Sequence, residues 1–261
     1  MRVVVIGGTG QIGSKAVRGL RDLGHDAIPA SPETGVDIIS GNGLDEVVQG
    51  ADVVVDVTNK ITMERDASVA FFETAARNIM AAEIVADVKH HVALSVLRSD
   101  RLVESGYIAG KVAQETQVQQ GPIPYTLVRA AQFFELVPMM VEMGAVECVA
   151  RLSSVKFQPI AAADVALTLI ERVLAEPVNG TYEIAGPEVF RINELANRWV
   201  RETGGTVRVE VDPQATYFGA PLQDDTLLPD TAVRIRSTTF EQWLGNQKLR
   251  TPSDSDRRPT I

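Results

Sequence analysis

Short apolar runs alternate with amphipathic stretches along the first half of the chain. Runs rich in β-branched residues predict buried parallel strands, and stretches with a period near 3.6 predict helices. The predicted strands are residues 2–6, 26–30, 36–39, 52–57, 91–95 and 125–129, and the predicted helices are residues 11–23, 44–49, 66–83 and 106–120. This alternation predicts an α/β fold, a doubly wound parallel sheet with helices on both faces.

Composition and charge narrow the classes of protein that fit this pattern. The chain has 261 residues and a formal net charge of −9, which argues against a nucleic-acid partner. Cys148 is the single cysteine, so no internal disulfide is expected. No apolar run approaches the roughly 18 residues of a membrane helix, and Met1–Ile6 is too short for a signal peptide. We expect a cytoplasmic monomer or homodimer that acts on a small molecule away from membranes.

A glycine-rich loop joins the first predicted strand to the first predicted helix. Its sequence is Gly7-Gly8-Thr9-Gly10-Gln11-Ile12-Gly13. In dinucleotide-binding loops the first glycine allows a tight turn, the second lets the backbone approach a pyrophosphate, and the third lets the helix pack closely. The helix N-terminus then offers free N–H groups to the phosphates. The sequence therefore predicts a cofactor site at Gly7, Thr9, Gly10, Gln11 and Ile12.

Tyr107 and Lys111 lie four residues apart in the predicted helix 106–120, so they share one face. Ser95 ends the preceding strand. A hydride transfer to a carbonyl leaves an alkoxide that must be protonated, and a phenol with a pKa of about 10 needs a nearby positive charge to act as a base. We expect Tyr107 to be the acid/base and Ser95 to bind the carbonyl oxygen. Lys111 would supply the charge and hold the nicotinamide ribose.

Further polar residues lie at the ends of the predicted strands. Thr58 and Asn59 follow the strand 52–57 at its carboxyl end, where ligands bind in open α/β sheets, and are predicted to contact the cofactor. His90 and His91 stand at the opposite end of their strand and are expected at the surface. No cluster of Cys, His and carboxylates has the spacing of a metal site, so no metal is expected.

Taken together, these motifs resemble the short-chain dehydrogenase/reductase superfamily. The opening RVVVIGGTGQIGSKAV is similar to its atypical, NmrA-like branch, and Ser95, Tyr107 and Lys111 match its Ser…Tyr-x-x-x-Lys triad. Further similar segments are DVVVDVTN, VRAAQFFE, PIAAADVA and GTYEIAGP. The resemblance implies a Rossmann-like doubly wound parallel sheet with a smaller C-terminal part that covers the substrate.

This fold assigns the less regular second half of the chain to two regions and a tail. Residues 1–135, together with 159–179, are expected to form the dinucleotide-binding domain. Residues 136–158, which begin with an amphipathic stretch, and residues 180–245 are expected to cover the substrate. Residues 246–261 end in a polar run that predicts a flexible tail.

The segment after the second strand bears on the choice of dinucleotide. Ser31 can bond either a ribose hydroxyl or a phosphate. Glu33 would bond the hydroxyl and repel the phosphate if it turned inward, but we expect it to be a solvated loop carboxylate. No arginine stands in this segment. The residues leave NAD and NADP open, and the resemblance to the family favours NADP.

The resulting hypothesis is an NAD(P)H-dependent oxidoreductase that reduces a small carbonyl-type substrate, or catalyses the reverse oxidation. Two alternatives use the same scaffold. One is a dinucleotide-binding sensor without catalysis, and the complete triad argues against it. The other is an isomerase, epimerase or dehydratase that retains its nicotinamide.

Overall fold

The computed structural model describes residues 1–230 and 232–249. A sheet of seven parallel strands runs through the molecule, in the spatial order β2–β1–β3–β4–β5–β9–β12. Its strands are β1 (Arg2–Ile6), β2 (Asp26–Ala30), β3 (Val53–Asp56), β4 (His90–Val96), β5 (Tyr125–Ala130), β9 (Gly180–Ala185) and β12 (Arg234–Ile235). Since all seven are parallel, their carboxyl ends meet at one edge of the sheet, where the glycine loop lies.

Helices cover both faces of this sheet. They are α1 (Gly13–Asp22), α2 (Leu44–Val48), α3 (Arg65–Val85), α4 (Gly106–Gln120), α5 (Leu136–Gly144), α6 (Ala162–Val173), α7 (Ile192–Glu202) and α8 (Phe240–Leu249). Val3 and Val5 of β1 pack with apolar residues of α1 and α6, whereas Val4 and Ile6 pack with α2 and α3. The strand therefore buries alternate residues on opposite faces, which confirms the predicted doubly wound α/β architecture.

One predicted strand is absent. Residues 36–39 form no strand, because the chain turns at residues 38–40. β3 pairs directly with β1, so β2 is the outermost strand on its side of the sheet. The cause is local: the Asp37 carboxylate accepts hydrogen bonds from the backbone N–H of Ile39 and from the Ser40 hydroxyl, each at 2.8 Å. Such side-chain bonds offer the backbone an alternative to a strand ladder.

The second half of the chain adds two small sheets. One has the order β11–β7–β6 and the other pairs β10 with β8. Their strands are β6 (Ala145–Val146), β7 (Val149–Leu152), β8 (Lys156–Phe157), β10 (Phe190–Arg191) and β11 (Arg208–Val211). A separate apolar cluster joins this region to α3 and α4, because Phe72 and Tyr107 pack in it together with Phe134, Phe157 and Trp243.

Two boundaries of the predicted division need correction. Gly180–Ala185 was assigned to the substrate-covering region, but it pairs with β5 and extends the central sheet, as β12 does beyond it. The predicted tail 246–261 begins too early, because α8 continues to Leu249. The remainder of that tail lies outside the described residues. Within the described part of the chain, no helix combines the length and apolar character needed to cross a membrane.

Candidate active site

The glycines of the loop differ in what requires them. Gly7 has a φ of +76°, which favours glycine. A Cβ on Gly13 would lie 2.2 Å from the Gly7 carbonyl oxygen, so the tight packing of α1 on the loop requires a glycine. A Cβ on Gly10 would meet only that same oxygen, at 3.2 Å. The face of the loop at Gly10 is thus open, and it fits the close approach of a diphosphate.

The end of β3 lies directly against this loop. Val57 donates its backbone N–H to Ile6, and its carbonyl oxygen lies 3.1 Å from where a Cβ on Gly7 would stand. The Thr58 backbone N–H donates to the Asp56 carboxylate at 2.8 Å, while the buried Thr58 hydroxyl has no hydrogen-bond partner. The structure therefore brings Thr58 to the edge where the sequence predicts the cofactor, with a free hydroxyl.

Tyr107 reaches the same edge from α4. Its hydroxyl donates to Asn59 Oδ1 at 2.8 Å, so the phenol is tied to the loop after β3. The ring is buried against Phe72, with 6.3 Å between the ring centroids. Burial raises the pKa of the Tyr107 phenol, so the group keeps its proton at neutral pH. In this arrangement Tyr107 is the donor of the hydrogen bond to Asn59, and the expected lowering of its pKa by the Lys111 ammonium is not found.

Lys111 lies one helical turn further along α4. Its ammonium donates to the Leu94 backbone carbonyl of β4 at 2.8 Å and to Gln114 Oε1. It also lies 4.9 Å from the centroid of the Phe72 ring, which Tyr107 contacts too, so Tyr107 and Lys111 share one face of the helix as predicted. Burial lowers the pKa of Lys111 to about 8, against the opposing effects of Asp56 and Glu115.

The Lys111 ammonium donates hydrogen bonds to β4 and to its own helix, whereas the Tyr107 hydroxyl donates a hydrogen bond to Asn59. Two of the three ammonium N–H groups are used, which leaves one for another partner. Ser95 follows Leu94 at the carboxyl end of β4, and its buried hydroxyl has no hydrogen-bond partner. A buried hydroxyl without a partner among the described residues can bond a water molecule or a ligand.

An aromatic turn that the sequence did not reveal covers the phenol. Tyr217 and Ala220 exchange backbone hydrogen bonds, and Phe218 between them has a φ of +47°. The Phe218 ring lies 5.1 Å from the ring centroid of Tyr107 and 4.7 Å from that of Tyr217. No motif could have identified these residues, because about 110 residues separate them from Tyr107 in the sequence.

A cavity with a volume of about 470 Å³ is lined in part by residues that follow this turn in the sequence. It lies between the segment after β4 and the stretch that continues from Ala220. The lining residues are Arg101, Glu104, Pro221, Leu222, Gln223, Asp225 and Thr226. Most of them are polar or charged, and Arg101 Nη1 crosses the gap to donate to the Asp225 carbonyl at 3.3 Å. The second half of the chain therefore contributes a polar cleft next to the aromatic turn.

The segment after β2 turns Glu33 back towards the glycine loop. The Thr9 hydroxyl donates to Glu33 Oε2 at 3.0 Å. Hydrogen bonds from Ser31, from the backbone of Glu33 itself and from Thr9 hold the pKa of the Glu33 carboxyl below its usual range. Glu33 is exposed, in agreement with the expectation of a solvated loop carboxylate, and it also accepts a hydrogen bond from Thr9, a residue of the predicted cofactor site.

The two neighbouring histidines are buried, so the expectation that they lie at the surface was wrong. His90 and His91 are the first residues of β4 and are buried, with exposed fractions of 3% and 0%. His90 pairs with the Thr126 hydroxyl at 2.9 Å, and His91 Nδ1 pairs with the buried Glu83 carboxylate at 2.6 Å. Among the residues that the structure describes, no group of three or more His, Cys, Asp or Glu side chains is placed to hold a metal ion.

Comparison with known proteins supports the fold. No protein-family profile matches the chain. The chain is 24% identical to the photosystem II assembly factor Ycf39 of Synechocystis sp. over 233 residues. The aligned region covers 82% of this chain and 72% of that protein.

Solved structures resemble the chain more completely in shape than in sequence. A dTDP-4-dehydrorhamnose reductase from Bacillus anthracis in complex with NADP has a TM-score of 0.68 at 19% identity, over 91% of this chain and 90% of that chain. An NADPH-dependent quinone oxidoreductase from Escherichia coli complexed with NADPH has a TM-score of 0.68 at 19% identity, over 94% and 99% of the two chains. These similarities show that the chain has a Rossmann-like fold.

Proposed function

We propose that the protein is an NAD(P)H-dependent oxidoreductase that reduces a small carbonyl-type substrate. The observation that carries this proposal is the meeting of three groups at one edge of the sheet. Gly7 of the glycine loop lies against Val57 at the end of β3, and Asn59 links that end to the Tyr107 hydroxyl. Lys111 donates a hydrogen bond to Leu94 of β4, the residue before Ser95 with its unpartnered hydroxyl.

The residues present fit a dinucleotide. The glycine loop would receive the diphosphate, and the free hydroxyl of Thr58 and the remaining N–H of Lys111 would bond the nicotinamide ribose. A bound reduced nicotinamide would supply a hydride to the carbonyl carbon. Both the solved reductase and the solved quinone oxidoreductase that resemble this fold hold NADP or NADPH.

The protein's own groups would handle the carbonyl oxygen. Ser95 would donate a hydrogen bond to it and stabilise the negative charge that develops there. Tyr107 would leave Asn59 and donate its proton to the oxygen. The net change turns a carbonyl into an alcohol and consumes one proton.

The position of Glu33 bears on which dinucleotide the site takes. An acidic residue after the second strand bonds the 2′-hydroxyl of NAD and repels the 2′-phosphate of NADP. Because Glu33 is bonded to Thr9 and its pKa is lowered, a carboxylate stands beside the loop. We therefore propose NADH as the better ligand, although the family resemblance alone favoured NADP.

A second candidate is a dinucleotide-binding protein without catalysis. Its support is that Asn59 holds the Tyr107 hydroxyl and Phe218 covers the ring, so the phenol is closed off in this conformation. The similarity to an assembly factor points the same way. Turnover distinguishes the two: the enzyme consumes NADH in the presence of a carbonyl compound, and the sensor only binds it.

Binding is tested first, by fluorescence titration with NADH and NADPH. Gly10→Ala adds a methyl group to the open face of the loop and should weaken NADH binding about tenfold or more while the protein stays folded. Gly245→Ala is the matched control, because a Cβ there meets nothing within 4 Å and the position lies on α8. Unchanged NADH binding by the Gly10 variant would place the dinucleotide elsewhere.

Catalysis is tested by NADH consumption over a panel of aldehydes, ketones and quinones. Removal of a positioned acid/base typically costs about 10²–10⁴ in rate, so Tyr107→Phe should lose that factor in kcat and still bind NADH. Tyr125→Phe is the control, since Tyr125 begins β5 at the opposite end of the sheet. Equal rates for wild type and Tyr107→Phe would remove the phenol from the reaction, and tight binding without any turnover would favour the sensor.

A further inference from the structure

A chain of buried hydrogen bonds runs from β3 to the lysine of the proposed site. Gln114 Nε2 donates to Asp56 Oδ2 at 2.6 Å, and the Lys111 ammonium donates to Gln114 Oε1. The three side chains have exposed fractions of 0%, 1% and 3% for Asp56, Gln114 and Lys111. The chain therefore joins the carboxyl end of β3 to the inner face of α4, out of contact with water.

The orientation of the Gln114 amide is set from both ends. Asp56 accepts the backbone N–H of Thr58 on one carboxylate oxygen and the Gln114 amide on the other. Because a carboxylate only accepts and an ammonium only donates, the amide must turn its nitrogen to Asp56 and its oxygen to Lys111. The two hydrogen bonds therefore fix the orientation of the Gln114 amide between β3 and the ammonium.

A buried ammonium needs a balancing negative charge, since burial without one is costly. Two carboxylates act on Lys111, Asp56 and Glu115. Glu115 is engaged by the Arg129 guanidinium through two hydrogen bonds, at 3.0 and 2.6 Å. Its charge is therefore largely matched already, and Asp56 is the carboxylate left to balance Lys111.

Two further titratable groups face Asp56 from neighbouring elements. Glu83 of α3 and His91 of β4 both interact with it electrostatically. They are bonded to each other through His91 Nδ1 at 2.6 Å, so they form a pair of their own. The hydrogen-bonded path from Asp56 leads to Thr58 and to Gln114, not to this pair.

We propose that Asp56 and Gln114 are positioning residues for the proposed reaction: Asp56 balances the charge of the Lys111 ammonium, and Gln114 fixes the ammonium at the end of β4. This inference rests on the proposed function, because Lys111 matters here as the ligand of the nicotinamide ribose. It assigns a role to a carboxylate that otherwise stands unexplained in the apolar run of β3.

The test measures the titration of Lys111 itself, in the protein without added ligand. Lysines labelled with carbon-13 at Cε are followed by NMR between pH 6 and 11, and Lys111→Arg assigns the signal. In the wild type we expect a midpoint near 8. An opposite charge nearby shifts a pKa by about 1–3 units, so Asp56→Asn should lower the midpoint by about 1 unit or more.

Two more variants make the test specific. Gln114→Met keeps a side chain of similar size but removes both hydrogen bonds, so it should also lower the midpoint and should weaken NADH binding about tenfold. Glu115→Gln is the matched control: it removes the other carboxylate that acts on Lys111, and its effect on the midpoint should be the smaller. Gln114→Met also serves as the test if Asp56→Asn does not fold.

The outcomes separate this inference from the proposed function. A Lys111 midpoint that stays within about 0.3 units of wild type in Asp56→Asn or in a folded Gln114→Met variant overturns the inference, whatever the protein binds. A larger shift for Glu115→Gln than for Asp56→Asn also overturns it. If the midpoints shift as expected but wild type binds no NADH or NADPH, the charge balance stands and the proposed function fails.

Discussion

At the scale of single residues, the decisive feature is what each polar side chain near the glycine loop is bonded to. Glu33 illustrates this, because its exposed carboxylate accepts a hydrogen bond from the Thr9 hydroxyl. A fixed negative charge at that place repels a 2′-phosphate and can accept a hydrogen bond from a 2′-hydroxyl. One exposed residue can thus discriminate between two dinucleotides that differ only in a phosphate.

The first prediction follows from this charge. Glu33→Gln keeps the size of the side chain and removes the repulsion, so the ratio of NADPH affinity to NADH affinity should rise about tenfold. Parallel fluorescence titrations with the two dinucleotides measure the ratio. Glu46→Gln, an exposed carboxylate on α2, is the control. A ratio unchanged in Glu33→Gln would mean that the carboxylate does not face the adenosine ribose.

Sequence reasoning at this scale succeeded where the relevant neighbours are close in the chain. Tyr107 and Lys111 were placed on one helix face by their spacing, and both indeed contact Phe72. The Asp56–Gln114 bond could not be predicted, because it joins residues 58 positions apart and depends on how α4 packs against β3. The one available signal was a carboxylate inside the apolar run DVVVDV, which a buried strand tolerates only with partners.

At the scale of elements, the turn at Tyr217–Ala220 carries backbone strain in the candidate site. Phe218 adopts a positive φ, which costs a bulky residue about 1 kcal/mol or more, while Gly219 beside it adopts one without cost. The surrounding structure holds this conformation so that the ring lies on Tyr107. Strain of this kind, at a residue that covers a proposed catalytic group, suggests that the ring contacts the substrate.

The second prediction concerns this turn. Asparagine tolerates a positive φ but has no aromatic ring, so Phe218→Asn should fold normally and raise the KM for aromatic carbonyl substrates about tenfold, with less effect on small aliphatic ones. Steady-state kinetics with paired substrates measure the difference. Cys148→Asn is the control, since Cys148 also has a positive φ in the exposed turn between β6 and β7. Equal KM changes for both substrate types would exclude ring stacking.

Elements were predicted well where their ends carry local signals. The predicted helix 106–120 matches α4, which begins after Ser105, whose side chain accepts the Ile108 N–H, and ends at Gly121. The run 36–39 was predicted to be a strand because of its apolar residues, yet the Asp37 carboxylate closes a turn there. The β6–β7 hairpin was missed because its residues continue the amphipathic pattern of α5, and its turn residues, Glu147 and Cys148, are not typical turn formers.

At the scale of the whole molecule, the second half of the chain and the sheet stabilise each other through shared clusters. Trp243 of α8 donates to the Glu135 carboxylate at 2.9 Å and packs on Phe134, 5.6 Å between ring centroids. The same apolar cluster includes Tyr107 of α4. The proposed acid/base is therefore anchored in the core that joins the two halves, and folding of the second half is a condition for a formed site.

The buried histidine at the start of β4 gives global stability a dependence on pH. Burial first, and then the nearby His91 and Arg172, lower the pKa of His90 from 6.5 to about 4. The unfolded chain therefore binds more protons than the folded protein between those values. The stability that this group contributes is complete above pH 6.5 and is lost as the pH falls towards 4, by roughly 2–3 kcal/mol.

The third prediction isolates that contribution. Glutamine at position 90 can still bond the Thr126 hydroxyl but does not titrate, so His90→Gln should show a shallower loss of unfolding free energy between pH 6.5 and 4 than wild type. Urea unfolding at several pH values in this window measures the two slopes. His25→Gln controls for the loss of a histidine as such, because His25 lies after the end of α1 and is only half-buried. If wild type and His90→Gln lose stability in parallel, His90 is protonated in the folded protein as readily as in the unfolded chain, and the acid sensitivity must come from the carboxylates instead.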